Sequence, residues 1–392
     1  MVNTLTMKKS LPILLIGLLF GCMQVQADDV ESESNSIKAP EGRRFKDIVA
    51  DKYPENVYIG GTIQYGELFG PKGELLNNEF SYITPANIYK QSHIHSAPGK
   101  WQWQKPDHWI AIAKKNNQLV RIHGPISPQV SRWAKNDKRT AQELETNLIE
   151  FMQALAARYN NEPHVKWFDV VNETITEEGT WFGPKPGVKE WENPWTTMGF
   201  ITDIPDQFPL LKKLGVPKYI VRSFIEANKY APNLKMIINQ HRMTTPESIA
   251  LMKELVIYLR YLGLRVDGIG WQAHFRAEYT EFSDPDSDAI NTFDQLIKWS
   301  HANNFEFHVT ENNIHLNKDK PYQAELVGKA YANIVQTLLN NRKTGVVSWN
   351  AWTIADGPHF RNKKTITTGI WDENYQPQKA YYDIQNVLEQ SK

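Results

Sequence analysis

Two glutamates carry the chemistry that this sequence could perform. Glu173 directly follows the β-rich run at residues 167–172, and Glu311 directly follows the run at residues 308–310. A carboxylate placed where a strand ends is common at the active edge of parallel barrels. Hydrolysis of a glycosidic bond needs such a pair, because one group protonates the leaving oxygen while the other attacks or activates water. Burial and mutual repulsion would separate the two pKa values and so assign these roles. A salt-bridged structural acid is the alternative for either glutamate alone.

The pattern of elements predicts how these glutamates are brought together. From about Tyr53 onward, β-rich runs alternate with helical patterns, which is typical of a parallel α/β fold. No glycine-rich phosphate loop follows the first run, which argues against a nucleotide-binding sheet. Eight runs favour a single-domain (β/α)8 TIM barrel, and they lie at residues 57–62, 82–84, 119–123, 166–172, 234–239, 268–272, 306–310 and 345–349.

Helix-starting patterns support the alternation. Thr140 and Glu143 fit a capping box, and Thr245 followed by Pro246 provides a cap and a first-turn proline. Each is followed by apolar residues at spacings of three and four, which predicts a helix face that packs on the core.

The longest segment without clear periodicity is the loop after the fourth strand, at residues 174–215. It contains Trp181, Trp191 and Trp195. Long irregular loops inside compact domains are usually functional, and loops after barrel strands form the active face. The tryptophans therefore predict either a sugar-binding wall or a loop that packs on itself, and the sequence does not separate the two.

Three motifs around the glutamates resemble glycoside hydrolase family 10, the endo-β-1,4-xylanase family, and this resemblance spans residues 53–384. Residues 167–173 resemble the family's Trp-Asp-Val-Val-Asn-Glu, which implies that Glu173 is the acid/base and that Asn172 binds a sugar 2-hydroxyl. Residues 310–314 resemble Thr-Glu-Leu-Asp-Ile, which implies that Glu311 is the nucleophile. Residues 266–275 resemble the stretch around Asp-Gly-Ile-Gly-Leu-Gln-Ser-His, which implies that Gln272 and His274 lie beside the nucleophile.

The resemblance also implies residues that bind substrate. Residues 84–90 resemble Thr-Pro-Glu-Asn-x-Met-Lys, which implies sugar contacts for Asn87 and Lys90, and residues 371–377 resemble the family's closing segment. His123 would bind the sugar beside the nucleophile, with a hydrogen-bonded core histidine as the alternative. Trp349 and Trp352 would supply the tryptophan that covers the sugar ring, with filling of the core as the alternative.

Several positions depart from the family pattern. The tryptophan and histidine after the third strand are absent from residues 124–128, and Ala86 replaces a glutamate. Gln91 replaces a tryptophan and Gln240 replaces an aspartate. Asn313 stands where the family has the aspartate that orients and charges His274, so that partner is neutral here. These changes make hydrolysis a firmer expectation than xylan as the substrate.

Three functions therefore remain open. The first is a retaining hydrolase that cuts a β-linked polysaccharide in the manner of an endo-β-1,4-xylanase. The second is a hydrolase of another glycan, decorated or bacterial. The third is a surface glycan-binding protein with weak or no turnover, although a binding protein has no need of two carboxylates that repel each other.

The N-terminal residues predict export and lipid anchoring. Lys8 and Lys9 precede an apolar run at residues 11–21, which is too short for a stop-transfer helix and ends at Cys22. The run resembles a bacterial lipobox, so residues 1–22 are expected to be a signal peptide whose cysteine is lipidated, with an unrelated cysteine as the alternative. Residues 23–45 predict a flexible tether and residues 46–392 the barrel. The expected location is a bacterial membrane, preferably the outer membrane or the cell surface.

Composition narrows the partners. Of the 392 residues, 44 are Lys or Arg and 44 are Asp or Glu, so no broad positive surface is expected and nucleic acid is an unsuitable partner. Cys22 is the only cysteine, so a mature chain lipidated there would have no free thiol for a disulfide or a metal. His93, His95 and His164 lack the spacing of metal ligands. The expected partners are a polysaccharide or oligosaccharide and the membrane, with no cofactor and no metal.

Overall fold

A closed barrel of parallel strands organises the protein. The structure is a computed structural model that describes residues 37, 39–183, 193–241, 243–276, 280–317, 323–358 and 365–391. The predicted signal peptide, Cys22, most of the tether and Trp191 lie outside these residues. Within them, the eighth strand pairs with both the seventh and the first, which closes the barrel. The strands are β1 (Val57–Ile63), β2 (Tyr82–Pro85), β3 (Leu119–Ile122), β4 (Val165–Asn172), β5 (Lys235–Gln240), β6 (Gly268–Trp271), β7 (Glu306–Asn317) and β8 (Val347–Ala351).

This arrangement confirms the predicted (β/α)8 barrel. Each strand overlaps one of the eight predicted runs, and helices lie between the strands. The helices are α1 (Phe45–Lys52), α2 (Pro71–Glu79), α3 (Gln91–Ile94), α4 (Gln104–Lys115), α5 (Ala141–Tyr159), α6 (Pro209–Leu214), α7 (Lys218–Tyr230), α8 (Pro246–Tyr261), α9 (Asp288–Ala302), α10 (Ala324–Asn340) and α11 (Lys379–Gln390). Short 3-10 turns occupy Tyr65–Phe69, Asn87–Tyr89, Pro194–Met198 and Thr280–Ser283. Among the described residues, no helix combines the length and apolar character needed to cross a bilayer.

The predicted caps form as expected. The Thr140 hydroxyl accepts a hydrogen bond from the Glu143 backbone N–H, and the Glu143 carboxylate accepts one from the Thr140 N–H, which completes the capping box at the start of α5. Thr245 caps α8 in the same way through the N–H of Ser248. Such caps contribute about 1 kcal/mol each, and the buried apolar faces of these helices supply most of the rest.

The interior of the barrel changes from aromatic to polar along its axis. Tyr82, Trp167 and Ile237 pack together inside the barrel, and the Trp167 indole N–H donates to Glu306 at 3.0 Å. A fully buried ion pair joins Arg121 on β3 to Asp169 on β4, with 2.6 Å between nitrogen and oxygen. This polar layer supplies charged and hydrogen-bonding partners that hold the side chains at the carboxyl ends of the strands in place.

β7 continues well beyond the barrel. Its last residues pair with His274–Arg276 in parallel and with Thr365–Thr368 in antiparallel orientation, and the latter strand pairs with Gly357–Pro358. We call these four short segments the upper sheet. The upper sheet stands above the barrel mouth and continues directly from the strand that carries Glu311.

Candidate active site

The carboxyl ends of the strands surround one open cleft of about 2020 Å³. Both glutamates predicted to be catalytic line it. Five of the predicted substrate-binding residues also line it, namely Asn87, Lys90, Gln272, His274 and Trp352. His123 and Asn172 are buried immediately behind, at 1% and 2% exposure, and both contact lining residues.

Glu173 begins the loop after β4 with a left-handed backbone. Its φ is 57°, a conformation that non-glycine residues seldom adopt, and its N–H donates to the Asn239 carbonyl at 3.0 Å. The Gln272 amide donates to Oε1 at 3.0 Å. Oε2 is buried and has no hydrogen-bond partner among the residues that the structure describes. The protein thus leaves one oxygen of Glu173 available to a ligand in the cleft.

Glu311 is held by cations and an amide. Asn239 donates to Oε1 at 2.8 Å, His274 Nε2 lies 3.3 Å from Oε2, and His123 Nε2 lies 3.6 Å from Oε1. Burial alone would raise the pKa of Glu311. The charges of His123, His274 and Lys90, with the hydrogen bond from His274, outweigh burial and lower this pKa to about 2. Glu311 is therefore ionised at any ordinary working pH.

A chain of amides links the two glutamates. Gln272 donates to Glu173 and also to Asn172 Oδ1, at 3.0 and 3.1 Å. Asn239 donates to the same Asn172 oxygen and to Glu311, each at 2.8 Å. The Asn172 amide nitrogen is buried and has no hydrogen-bond partner within the described part of the chain. It is therefore a donor that only water or a ligand can satisfy, as expected of a residue that binds a sugar hydroxyl.

The buried ion pair of the barrel orients His123. Asp169 Oδ2 lies 3.1 Å from His123 Nδ1 and accepts from Arg121 Nε at 3.0 Å. Burial raises the pKa of Asp169, but Arg121 and His123 outweigh this and lower it below its ordinary value. An ionised Asp169 fixes the Nδ1 proton of His123, which leaves Nε2 facing Glu311.

Lys90 lines the cleft close enough to both glutamates for their charges to act on it. Its ammonium donates to Gln129 Oε1 at 2.6 Å, and the side chain is buried. Burial lowers the pKa of Lys90, and the charges of Glu173 and Glu311 offset only part of that effect. In the described ranges, no group of three or more His, Cys, Asp or Glu side chains is arranged to hold a metal ion.

A family comparison decides the assignment of the whole chain. The family model described as glycosyl hydrolase family 10 matches residues 48–387, which is most of the sequence. The chain belongs to glycosyl hydrolase family 10.

Curated and solved relatives of this family 10 chain are distant in sequence. Endo-1,4-beta-xylanase B of Thermotoga neapolitana is 23% identical over 396 residues and covers 97% of this chain, which spans 98% of that protein. The chain spans 47% of endo-1,4-beta-xylanase A of a Caldicellulosiruptor strain, at 22% identity and 86% coverage of this chain. Xylanase 10B of Thermotoga petrophila, solved with xylobiose, superposes with a TM-score of 0.71 at 20% identity, covering 90% of this chain and 99% of its own. A Penicillium canescens endo-1,4-beta-xylanase gives 0.73 at 18% identity, with 89% and 98% coverage. These structural likenesses show the shared fold.

The two tryptophans predicted to cover the sugar are separated in this family 10 barrel. Trp352 follows β8, lines the cleft and contacts the His123 ring edge-on at 5.1 Å. Trp349 is not brought to the cleft. It is 2% exposed, packs edge-on against Tyr331 of α10 and donates to Asn312 at 2.8 Å. Its neighbours on β8 face the barrel interior, so the alternation of the strand turns Trp349 outward.

The loop after β4 packs partly on itself and partly on the segment after β3, where the structure describes it. Trp195 is fully buried and its indole donates to the Ser127 carbonyl. Trp181 donates to the Gly215 carbonyl at 2.7 Å. Neither indole lines the cleft, whereas Phe182 does. Trp181 and Trp195 therefore match the alternative of a loop packed on the protein rather than that of a sugar-binding wall.

Sequence reasoning missed three residues of the family 10 site. Asn239 links Asn172 to Glu311, and Arg121 with Asp169 orients His123. Alternation offered a partial clue, because Arg121 on β3 and His123 directly after β3 are two residues apart and so lie on the same face. For Asn239 the only sequence clue was its position at the end of the fifth strand, with an amide type that could donate to a carboxylate.

Proposed function

We propose that this family 10 barrel is a retaining glycoside hydrolase of the endo-β-1,4-xylanase type, with Glu311 as nucleophile and Glu173 as acid/base. The observation that carries the proposal is the difference in charge between the surroundings of the two carboxylates. Glu311 is surrounded by His123, His274 and Lys90, which keep it ionised. Glu173 is contacted by an amide, and no described cation forms an ion pair with it.

This inequality suits a double displacement. The Glu311 carboxylate attacks the anomeric carbon while the protonated Glu173 transfers its proton to the leaving oxygen, which yields a glycosyl ester on Glu311. Glu173, now a carboxylate, then removes a proton from water as that water displaces Glu311 from the sugar. The free amide hydrogens of Asn172 would hold the 2-hydroxyl through both steps, where such contacts strengthen in the transition state.

The altered subsites support a substrate other than plain xylan. Ala86 and residues 124–128 lack three side chains of the family pattern that would contact sugar. The Lys90 ammonium already donates a hydrogen bond to Gln129. Each lost hydrogen-bonding partner costs roughly 1 to 3 kcal/mol, so unsubstituted β-1,4-xylan should be a weak substrate unless other contacts compensate. A decorated or differently linked β-glycan is the second candidate. A glycan-binding protein without turnover is disfavoured, because its paired carboxylates would serve nothing.

We also propose that the chain is exported and lipid-anchored through Cys22 to a bacterial membrane, with the barrel tethered by residues 23–45. The support is the order of features in the sequence. Two lysines precede an apolar run of signal-peptide length, and the cysteine follows that run directly.

A product analysis tests the catalytic proposal. The chain would be incubated with a panel of β-linked polysaccharides and oligosaccharides, with products identified by mass and the first-formed anomer by proton NMR. Retention of the β configuration is expected, and so is a separation of about 5 to 5.5 Å between the Glu173 and Glu311 carboxyls in a crystal structure. Initial release of the α anomer, or a separation of roughly 6.5 to 9.5 Å, would exclude the retaining mechanism. Glu311→Gln is the matched inactive control.

A further inference from the structure

The upper sheet has one apolar and one polar face. Phe275, Ile314 and Leu316 are at most 6% exposed, and Phe275 packs on Trp271 and Phe282. Alternation places their neighbours on the opposite face. That polar face lines the cleft with His274, Arg276, Asn313, His315, Asn317 and Thr367.

One row of the polar face carries hydrogen-bonding groups across three strands. Arg276 pairs with His315, His315 with Thr367, and Thr367 with Gly357. The His315 ring contacts the Thr367 hydroxyl at 3.1 Å. The row ends at Gly357, which adds no side chain to it. Arg276 is two residues beyond His274, so the row begins about 6.6 Å above the histidine that contacts Glu311.

Arg276 differs from the other cations of the cleft. Lys72 is ion-paired to Glu67 at 2.6 Å, and Lys90 is buried and bonded to Gln129. Arg276 is exposed and lines the cleft, and no described carboxylate forms an ion pair with it. Its planar guanidinium presents two parallel N–H groups that match the two oxygens of a carboxylate.

We propose that this row is a subsite for a carboxylate-bearing side group of the glycan, of the uronic acid class, and that Arg276 determines the preference for it. The proposal rests on the proposed function, since it concerns the glycan bound in the same cleft. Arg276 binds the carboxylate, while His315 and Thr367 contribute hydrogen bonds to the hydroxyls of the side group. Within the described part of this row, Arg276 is the residue whose guanidinium can pair with a carboxylate, which suits a singly charged substituent.

The test compares two matched substrates. One is a xylo-oligosaccharide that carries a single glucuronic acid, and the other is the same compound with that carboxyl reduced to the alcohol. Affinity is measured by calorimetry with the full chain, and kcat/KM is measured in parallel. We expect the parent protein to prefer the acidic compound about tenfold, and this preference should weaken in high salt.

Variants assign the preference to Arg276. Arg276→Ala should remove the preference and Arg276→Glu should reverse it. Lys115→Ala is the charge-matched control, because Lys115 is exposed at the end of α4, outside the cleft lining, and this variant should keep the parent ratio. A parent ratio near one, a ratio that Arg276→Ala leaves unchanged, or a greater gain from a sulfate-esterified analogue would overturn the proposal. If neither compound is cleaved but the binding ratio falls with Arg276→Ala, the subsite stands and the hydrolase assignment fails.

Discussion

His274 lies 3.3 Å from Glu311 through Nε2 and 2.8 Å from Asn313 through Nδ1. The amide of Asn313 therefore still orients the ring, although a carboxylate was expected at this position in the family. Burial lowers the pKa of His274, but the hydrogen bond and charge of Glu311 outweigh burial and raise the pKa above 6.5. The nucleophile Glu311 makes the largest contribution to this raised pKa, and the hydrogen bond with Asn313 and the charge of Glu173 add to it.

This contact predicts a pH dependence with two limbs. The Glu311 pKa is lowered from 4.5 to about 2, so its contribution to stability is complete above pH 4.5 and is lost as pH falls towards 2. The His274 pKa is raised, so its contribution is complete below pH 6.5 and is lost as pH rises through the folded value. The free energy of unfolding, measured with denaturant at several pH values, should contain both contributions in full between pH 4.5 and 6.5.

His274→Gln should expose the role of this histidine in the reaction. Without the cation the pKa of Glu311 rises, so the acid limb of kcat/KM moves to higher pH, and kcat/KM falls roughly tenfold to a hundredfold. The measurement is a pH profile of kcat/KM on an aryl glycoside. His164→Asn is the control, because that ring lies outside the cleft lining and bonds the Gln118 carbonyl. An acid limb that stays in place would show that His274 does not tune the nucleophile.

The two glutamates should respond differently to removal. Glu311→Ala should abolish turnover of every substrate, since no glycosyl ester can form. Glu173→Ala should reduce kcat/KM about 10² to 10⁴-fold for leaving groups that need a proton, and far less for activated aryl glycosides. Added azide should rescue deglycosylation and yield a β-glycosyl azide. Equal losses across leaving groups, with no azide product, would remove Glu173 from the acid/base role.

Trp195→Ala should act on stability rather than on substrate choice. The side chain is fully buried, so its removal should lower the free energy of unfolding by about 3 to 5 kcal/mol through cavity formation. Urea unfolding measures this loss. Phe69→Ala is the control, because Phe69 is 69% exposed and should lose less than about 1 kcal/mol. If Trp195→Ala instead changed the ratio of activities on two glycans and left the free energy of unfolding unchanged, Trp195 would belong to a sugar-binding wall.

Cys22→Ser tests the anchor separately from the enzyme. Without the thiol no lipid can be attached, so the variant should leave the membrane fraction or accumulate as an unprocessed precursor. Fractionation and electrophoretic migration of the expressed chain measure both outcomes. A Ser10→Ala variant, which changes the same segment without touching the cysteine, should behave like the parent. Identical behaviour of Cys22→Ser and the parent would contradict lipidation.

The sequence predicted the barrel because each strand is a β-rich run bounded by polar residues. β7 was placed only to residue 310, whereas it extends to Asn317. The residues at 311–313 are all polar, and the strand continues beyond them because residues 314–317 pair with Thr365–Thr368 about fifty residues later. Local sequence cannot reveal such a partner.

Trp349 occupies the core-filling position that was the alternative for it, and alternation could have indicated this. Ser348 bonds His308 and Asn350 bonds Thr62, both inside the barrel, so the residue between them must point outward. Polar residues at alternate positions of a barrel strand indicate the inner face, and the tryptophan between them belongs to the layer beneath the helices. Asn239, by contrast, depends on three side chains meeting in space, which no spacing within one segment encodes.

The continuity of β7 has a dynamic consequence. Glu311 lies near the middle of one strand whose lower half is paired in the barrel and whose upper half is paired in the upper sheet. The strand is paired up to Val309 on one side of Glu311 and again from Asn312 on the other, so amide hydrogen exchange in these flanking residues should be slow and close to the global unfolding limit. The nucleophile and the cleft wall above it then move as one body. A glycan resting on that wall keeps its register with Glu311.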